Sequence, residues 1–139
     1  MKKRVLLLCT HNSCRSQMAE ALINHDLGER YQAFSAGTEA TRVHPWALRV
    51  LEEIGIDASA QYSKTLDTFE GETFDHVITL CGSANEICPT FFGGVRRVHL
   101  GFDDPSRAAG DEAEILAEFR RVRDELRLRL ADYLKEADR

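Results

Sequence analysis

Apolar positions along the chain fall into short uninterrupted runs and longer stretches with helical spacing. The run from Arg4 to Leu8 is apolar after its first residue, which indicates a strand buried on both faces. Further strands are expected at 31–35, 75–80 and 95–100, where short apolar stretches are bounded by glycine or polar residues. The pattern therefore predicts four short strands.

Three longer stretches have helical spacing, at 16–27, from Pro45 to Gly55, and at 112–137, and a shorter helical piece is expected at 66–71. In the last helix the apolar face is formed by Ile115, Phe119, Val122, Leu126, Leu130 and Tyr133. The other two faces are assigned to Met18, Ala21, Leu22 and Leu27, and to Leu48, Leu51 and Ile54. Acidic residues in the first turn and mostly basic residues later suit the dipole of the last helix.

Strands that alternate with helices predict an α/β fold with a four-stranded, parallel, doubly wound sheet flanked by helices. At 139 residues and 43% hydrophobic content, the chain is expected to form a single domain over 1–139. Ligands of such sheets bind beyond the carboxyl ends of the strands. Cys9, Cys81 and Gly101–Pro105 each follow a predicted strand, so they should converge there.

The net charge of −5 argues against a nucleic acid or an acidic membrane as partner, since both require a basic surface. The apolar run that ends at Cys9 is too short for a secretory signal, and no stretch reaches membrane-spanning length. We therefore expect a cytoplasmic protein. In that reducing compartment its four cysteines should be catalytic, metal-bound or buried thiols.

The turn from Cys9 to Ser16 places a thiol and a guanidinium six positions apart. A turn of this size can point its backbone N–H groups inward, next to the positive end of the following helix. Arg15 adds a planar fork that suits two oxygens of a tetrahedral anion, and the same field favours a thiolate at Cys9. The predicted oxyanion-binding residues are Thr10, His11, Asn12, Ser13, Cys14, Arg15 and Ser16.

Asn12 and Ser16 each have two interpretations. Asn12 either holds the loop through side-chain hydrogen bonds or only forms a turn. Ser16 either donates its hydroxyl to the thiolate or only caps the helix.

Cys81 and Cys88 are seven positions apart on one loop or short helix. From the residues alone they are core thiols, or half of a zinc site with Cys9 and Cys14. Zinc is disfavoured because tight metal knuckles usually have two to four residues between ligands.

Five motifs give the chain a resemblance to a known family. They are Cys9–Glu20, Ser35–Gly37, Thr79–Cys81 with Cys88–Pro89, Gly101–Pro105, and Phe119–Glu125. Over essentially its whole length the chain resembles the low-molecular-weight protein tyrosine phosphatase fold family, and within it the thioredoxin-coupled arsenate reductases. The first motif marks the wider superfamily, whereas the cysteine pair with GFDDP is more specific to the reductases.

The resemblance implies that Cys9 is the nucleophile, that Arg15 binds the oxyanion and that Asp104 is the general acid. A carboxylic acid is needed to protonate the oxygen that leaves arsenic. The same Asp-Asp-Pro sequence also suits an ordinary turn, and chemistry alone leaves Asp103 open as the acid.

The resemblance also implies that Cys81 resolves the Cys9 adduct and that Cys88 takes over the disulfide, which thioredoxin or a similar dithiol then reduces. It implies no organic cofactor and no metal, and it leaves Cys14 as a packed loop residue. Phosphotyrosine or aryl phosphate hydrolysis by Cys9, Arg15 and Asp104 is the main alternative. A phosphocarrier domain and a non-catalytic thiol switch are weaker ones.

Two positions depart from the family pattern. Some members bind potassium near the loop, and Asn12, Glu20 and Ser35 match ligand positions, but Lys64 stands where the pattern has an acidic residue. We therefore expect no potassium ion. His11 replaces the glycine common in the reductases, which leaves the strain in the loop open.

Overall fold

The computed structural model describes residues 1–82 and 89–139, and this part of the chain contains four strands and three α-helices. The strands are β1 (Lys3–Leu8), β2 (Tyr31–Ala36), β3 (Phe74–Thr79) and β4 (Gly94–His99). The helices are α1 (Arg15–Asp26), α2 (Pro45–Glu52) and α3 (Glu112–Ala137), and short 3-10 helices cover Leu66–Phe69 and Pro105–Arg107. All strand pairs are parallel in the order β2-β1-β3-β4, which confirms the predicted sheet.

Helix α3 has the predicted bounds, and its N-terminus is fixed by a reciprocal capping box. The Asp111 side chain accepts from the backbone N–H of Glu114, and the Glu114 side chain accepts from the N–H of Asp111. Its buried face is Leu116, Phe119, Val122, Leu126, Leu130 and Leu134. Ile115 and Tyr133, which the sequence pattern assigned to this face, pack against the core but are only partly buried, and the buried residues at its two ends are Leu116 and Leu134.

The shorter helices differ more from the pattern. Helix α1 is buried on nearly every side, so its apolar residues mark no single face. Helix α2 ends at Glu52, which leaves Ile54 beyond the helix, and its buried residues are Ala47, Val50 and Leu51. Pro45 does begin this helix, and the His44 side chain caps it by accepting from the N–H of Trp46.

The two faces of the sheet are covered differently. Side chains from β1, β2 and β3 form the larger core with all three α-helices. The other face carries a smaller cluster in which Phe69 and Phe74 pack edge-to-face on Phe34. In 1–82 and 89–139, no helix combines the length and apolar character needed to cross a membrane.

The register of the central strands fixes where the loops meet. Leu8 of β1 pairs with Thr79 of β3, so both strands end at the same edge. The strand order reverses between them, which is the point where open α/β sheets bind ligands. The anion loop, Cys9–Ser16, leaves this edge and leads into α1.

Candidate active site

The anion loop is held open by segments that bind its outward-facing carbonyls. The Thr10 carbonyl accepts from the N–H groups of Thr38 and Glu39 at 2.9 and 3.2 Å. The Ser13 carbonyl accepts from the N–H of His44 at 3.1 Å. Because the N–H of a peptide points away from its carbonyl, the amides of His11 and Cys14 point away from these contacts, as the predicted anion site requires.

Gly37, directly after β2, is required because the chain there passes very close to the backbone of this loop. A Cβ at this position would lie 2.6 Å from the Thr10 carbonyl and 2.9 Å from the Asn12 nitrogen. Both distances are shorter than any side chain tolerates. This close approach explains the glycine of the Ser35–Gly37 motif.

Asn12 is a structural centre of the loop as well as a turn residue. Its backbone is left-handed, with φ of 48°, a conformation that asparagine tolerates. Its side-chain Nδ2 donates to Ser16 Oγ at 2.8 Å. The Ser16 hydroxyl lies 2.8 Å from Cys9 Sγ. Because its oxygen already accepts a hydrogen bond from Asn12, its proton can point to the sulfur. Of the 133 described residues, only Asn12 is a non-glycine with positive φ, so His11 carries no such strain.

Arg15 lies beneath the loop with a side chain that is only 3% exposed. Its Nη1 donates to the carbonyls of Phe102 at 3.1 Å and of Leu80 at 3.5 Å. These contacts fix the plane of the guanidinium relative to the segments that follow β3 and β4. The guanidinium is therefore held in place, and Arg15 lines the same cavity as Cys9.

The two adjacent aspartates of the acid loop, Gly101–Pro105, point in different directions. Asp104 is 11% exposed, and its Oδ2 lies 3.7 Å from Nη2 of Arg15. Its Oδ1 accepts from the backbone N–H and the hydroxyl of Ser106 at 3.0 and 2.7 Å. Asp103 is 74% exposed and pairs with Arg121 of α3 at 3.0 Å. The geometry thus places Asp104, and not Asp103, at the site.

Cys14 lies in the loop but in an environment that opposes ionisation. Burial and then the charge of Asp104 raise its pKa to about 12. Cys14 therefore stays a neutral thiol at physiological pH, consistent with a packing role.

A cavity of about 120 Å³ opens above the loop. It is lined by Cys9, His11, Ser13, Cys14, Arg15, Thr41, Asp104 and Ser106.

Sequence reasoning missed two of these lining residues, Thr41 and Ser106. Ser106 had a usable signal, because an Asp-Pro-Ser sequence favours a turn in which the aspartate accepts from the serine. Thr41 had none, since it lies in an irregular segment brought to the cavity by the fold.

Cys81 follows β3 at the same sheet edge as Cys9, and both thiols are buried. The next residue, Gly82, packs directly on the acid loop, because a Cβ there would lie 2.1 Å from the Phe102 carbonyl. Cys88 belongs to 83–88, outside the described residues. The structure therefore places two of the three predicted relay thiols at this edge and leaves the third a prediction.

Lys64 and Glu20 form a buried ion pair behind the anion loop. Lys64 Nζ lies 3.7 Å from the Glu20 carboxylate and donates to the Tyr62 carbonyl at 3.0 Å. Burial raises the pKa of Glu20 and lowers that of Lys64. The Lys64 backbone N–H donates to Asn12 Oδ1 at 2.9 Å, which connects the pair to the loop. An ammonium therefore lies beside Glu20, one of the residues that match potassium ligands in the family.

Fold and site together define a class of protein: an α/β protein in which the loop between a strand and a helix brings a thiol and an arginine into one small cavity. Residues 4–139 match the family described as low molecular weight phosphotyrosine protein phosphatase. The chain belongs to that family.

Several relatives within the family are named as arsenate reductases. The arsenate reductase of Halalkalibacterium halodurans is 48% identical over 132 residues, which cover 95% of each chain. A solved structure described as an arsenate reductase in the phosphate binding state superposes with a TM-score of 0.82 at 33% identity, covering 98% of each chain. The thioredoxin-dependent arsenate reductase of Corynebacterium glutamicum is 28% identical, with a TM-score of 0.66 over 98% of this chain and 63% of that one.

Proposed function

We propose that this protein reduces arsenate to arsenite through a disulfide relay. Arsenate is held by the loop amides and Arg15, and the Cys9 thiolate attacks arsenic. An arsenic–oxygen bond breaks as the Cys9–arsenic bond forms, and Asp104 gives the departing oxygen its proton, so that water leaves. Arsenic is still pentavalent at this stage.

The relay then moves two electrons to arsenic. The Cys81 thiolate attacks Cys9 Sγ, the Cys9–Cys81 disulfide forms, and the electron pair of the broken sulfur–arsenic bond stays on arsenic, which leaves as arsenite. Cys88 attacks Cys81 and returns Cys9 to a thiolate. An external dithiol of the thioredoxin type then reduces the Cys81–Cys88 disulfide.

The observation that carries this proposal is the second buried thiol, Cys81, at the end of the strand beside that of Cys9. A phosphatase needs Cys9, Arg15 and Asp104, but it has no use for Cys81. The cavity also suits a small anion, because its volume is about 120 Å³ and all of its lining residues are polar, charged or thiol-bearing. Aryl ester sites usually need an apolar slot for the ring.

The partner and the compartment follow from the same chemistry. The similarity to a thioredoxin-dependent arsenate reductase supports a thioredoxin-type reductant. A relay that starts from three thiols needs a compartment that keeps them reduced, which the bacterial cytoplasm provides.

The experiment that tests the proposal is arsenate reduction with thioredoxin, thioredoxin reductase and NADPH, beside hydrolysis of an aryl phosphate. Cys88→Ser should release about one arsenite per enzyme and then stop with a Cys9–Cys81 disulfide visible by mass, because two thiols reduce one arsenate. Cys81→Ser should stop earlier, at the arsenic adduct. Wild-type enzyme is the control and should turn over continuously.

Comparing aryl phosphate hydrolysis with arsenate reduction in the same variants separates the reductase from the phosphatase. Any aryl phosphate hydrolysis should survive both relay variants, because it needs only Cys9, Arg15 and Asp104. If Cys88→Ser turns over continuously with thioredoxin, the three-cysteine relay is wrong. If Cys81→Ser and Cys88→Ser both reduce arsenate normally, the pair is structural and phosphate ester hydrolysis becomes the better function.

A further inference from the structure

The acid loop is held on its outer side by Arg129, a residue of α3 that the proposed reaction does not use. Arg129 Nη1 donates to the Gly101 carbonyl at 2.9 Å. Its guanidinium carbon lies 4.4 Å from the centre of the Phe102 ring, and Phe102 is 4% exposed. A cation over a desolvated ring combined with a charge-assisted hydrogen bond gives a directed contact. Arg129 therefore fixes both the backbone and the aromatic side chain of this loop.

Phe102 is also fixed from the side of the active site. Its carbonyl accepts from Arg15 at 3.1 Å, and the backbone of Gly82 lies so close that even a methyl group would collide with the same carbonyl. Asp104 follows two residues later, 3.7 Å from the Arg15 guanidinium. Any displacement of Phe102 therefore changes the position of the acid relative to the anion clamp.

We propose that Arg129 is a positioning residue that holds Asp104 in its productive place through Phe102. This inference rests on the proposed arsenate reduction, in which Asp104 is the acid. Misplacement of a catalytic group by about 1 Å can cost about 100-fold in rate. Since Arg15 and Gly82 still restrain the loop when Arg129 is removed, we expect a smaller loss of about tenfold in kcat, equivalent to ~1.4 kcal/mol.

The test compares Arg129→Met with Arg127→Met. Arg127 lies on the same helix, but two residues apart on a helix do not share a face, and it pairs with Asp26 at 2.7 Å. Its replacement removes a charge and an ion pair from α3 without touching the acid loop. We expect kcat for arsenate to fall about tenfold in Arg129→Met and to stay within about twofold in Arg127→Met. Arg129→Lys should lie between wild type and Arg129→Met, because it keeps the charge but not the planar stacking.

Repeating the Arg129 substitution in Asp104→Asn enzyme separates a role in positioning Asp104 from a general loss of stability. In Asp104→Asn the acid is already absent, so adding Arg129→Met should cost little further rate. An equal loss in both backgrounds would overturn the positioning role. Hydrogen exchange of the amides at 101–105 should rise in Arg129→Met and not in Arg127→Met, and this readout needs no arsenate. Unchanged exchange in both variants would also overturn it.

The two proposals fail in different ways. If wild-type enzyme reduces no arsenate, the proposed function is wrong, and hydrogen exchange still decides whether Arg129 holds the loop. If wild-type enzyme reduces arsenate and both arginine variants have the same kcat, the proposed function stands and the role of Arg129 is wrong.

Discussion

The acid of the reaction is predicted to be Asp104, and paired substitutions of the two neighbouring aspartates test this directly. Asp104→Asn should preserve the local geometry, because an amide oxygen can accept from the Ser106 N–H and hydroxyl as the carboxylate oxygen does at 3.0 and 2.7 Å. What the variant loses is the proton that the leaving oxygen needs. Asp103→Asn makes the same chemical change one position away and is the matched control.

The expected magnitudes follow from the two environments. A positioned general acid contributes about 10²- to 10⁴-fold, or ~2.7–5.4 kcal/mol, and Asp104 is desolvated enough at 11% exposure to act in that way. Asp103 is 74% exposed and forms a surface ion pair with Arg121. Such pairs contribute about 0–1 kcal/mol, so Asp103→Asn should reduce the rate by less than about fivefold.

The assay should isolate the first chemical step, because reduction by thioredoxin can limit steady-state turnover. Single-turnover formation of the Cys9–arsenic adduct in Cys81→Ser enzyme reports that step alone. Binding of inorganic phosphate, measured as protection of Cys9 from alkylation, should be unchanged or tighter in Asp104→Asn because a negative charge near Arg15 is removed. A large loss in Asp103→Asn with a mild effect in Asp104→Asn would refute the assignment.

Three further predictions concern groups around the site and at the opposite end of the sheet. Iodoacetamide at pH 8 should modify Cys9 and leave Cys14 unmodified by mass spectrometry, because burial raises the pKa of Cys14 to about 12; equal modification would contradict this. Turnover should be the same in potassium and sodium at equal ionic strength, because the Lys64 ammonium already lies 3.7 Å from the buried Glu20 carboxylate. Clearly faster turnover in potassium would contradict this prediction. Asp138→Asn should lower the free energy of unfolding at pH 7 by about 1.5–3 kcal/mol. The variant loses the charge-assisted hydrogen bonds of the carboxylate, among them the one that Lys3 Nζ donates at 2.8 Å. Burial alone would raise the pKa of Asp138, but hydrogen bonds from Lys3, Tyr31 and His76 outweigh it and hold that pKa well below its usual range. A depressed pKa stabilises the fold above the unfolded value of about 3.9. The difference between wild type and Asp138→Asn should therefore shrink in thermal melts as the pH falls below about 4, and a constant difference would contradict the assignment.

The fold was predictable because most residues of β1 and β3 are buried in short strand-like runs and α3 has a long apolar repeat. Where the pattern was weak, the assignment was less accurate. Helix α1 is surrounded by protein on most sides, so its sequence has no polar face to mark its orientation. The end of α2 was missed because Glu52 and Glu53 suit a helix as well as the turn that begins there.

The site was predictable only where a local spacing encodes it. Cys9 and Arg15 lie in one turn, so the loop could be inferred from their separation. The choice between Asp103 and Asp104 could not, because adjacent loop residues point apart and nothing in their order says which points inward. The folded chain distinguishes them: Asp104 is the N-cap of the 3-10 helix that begins at Pro105, and its Oδ2 lies 3.7 Å from Nη2 of Arg15.

The remaining assembly depends on the register of the sheet. Arg15 bonds the carbonyls of Leu80 and Phe102, residues that are 65 and 87 positions from it in sequence. These carbonyls meet the guanidinium only because parallel β1, β3 and β4 end at one edge, with Leu8 opposite Thr79 and Thr79 opposite His99. A slip of one residue in β3 would turn each of its side chains to the other face and would remove the second thiol from the site. The long-range pairing of the strands, and not a local motif, therefore brings Arg15, Asp104 and Cys81 to the same edge of the sheet.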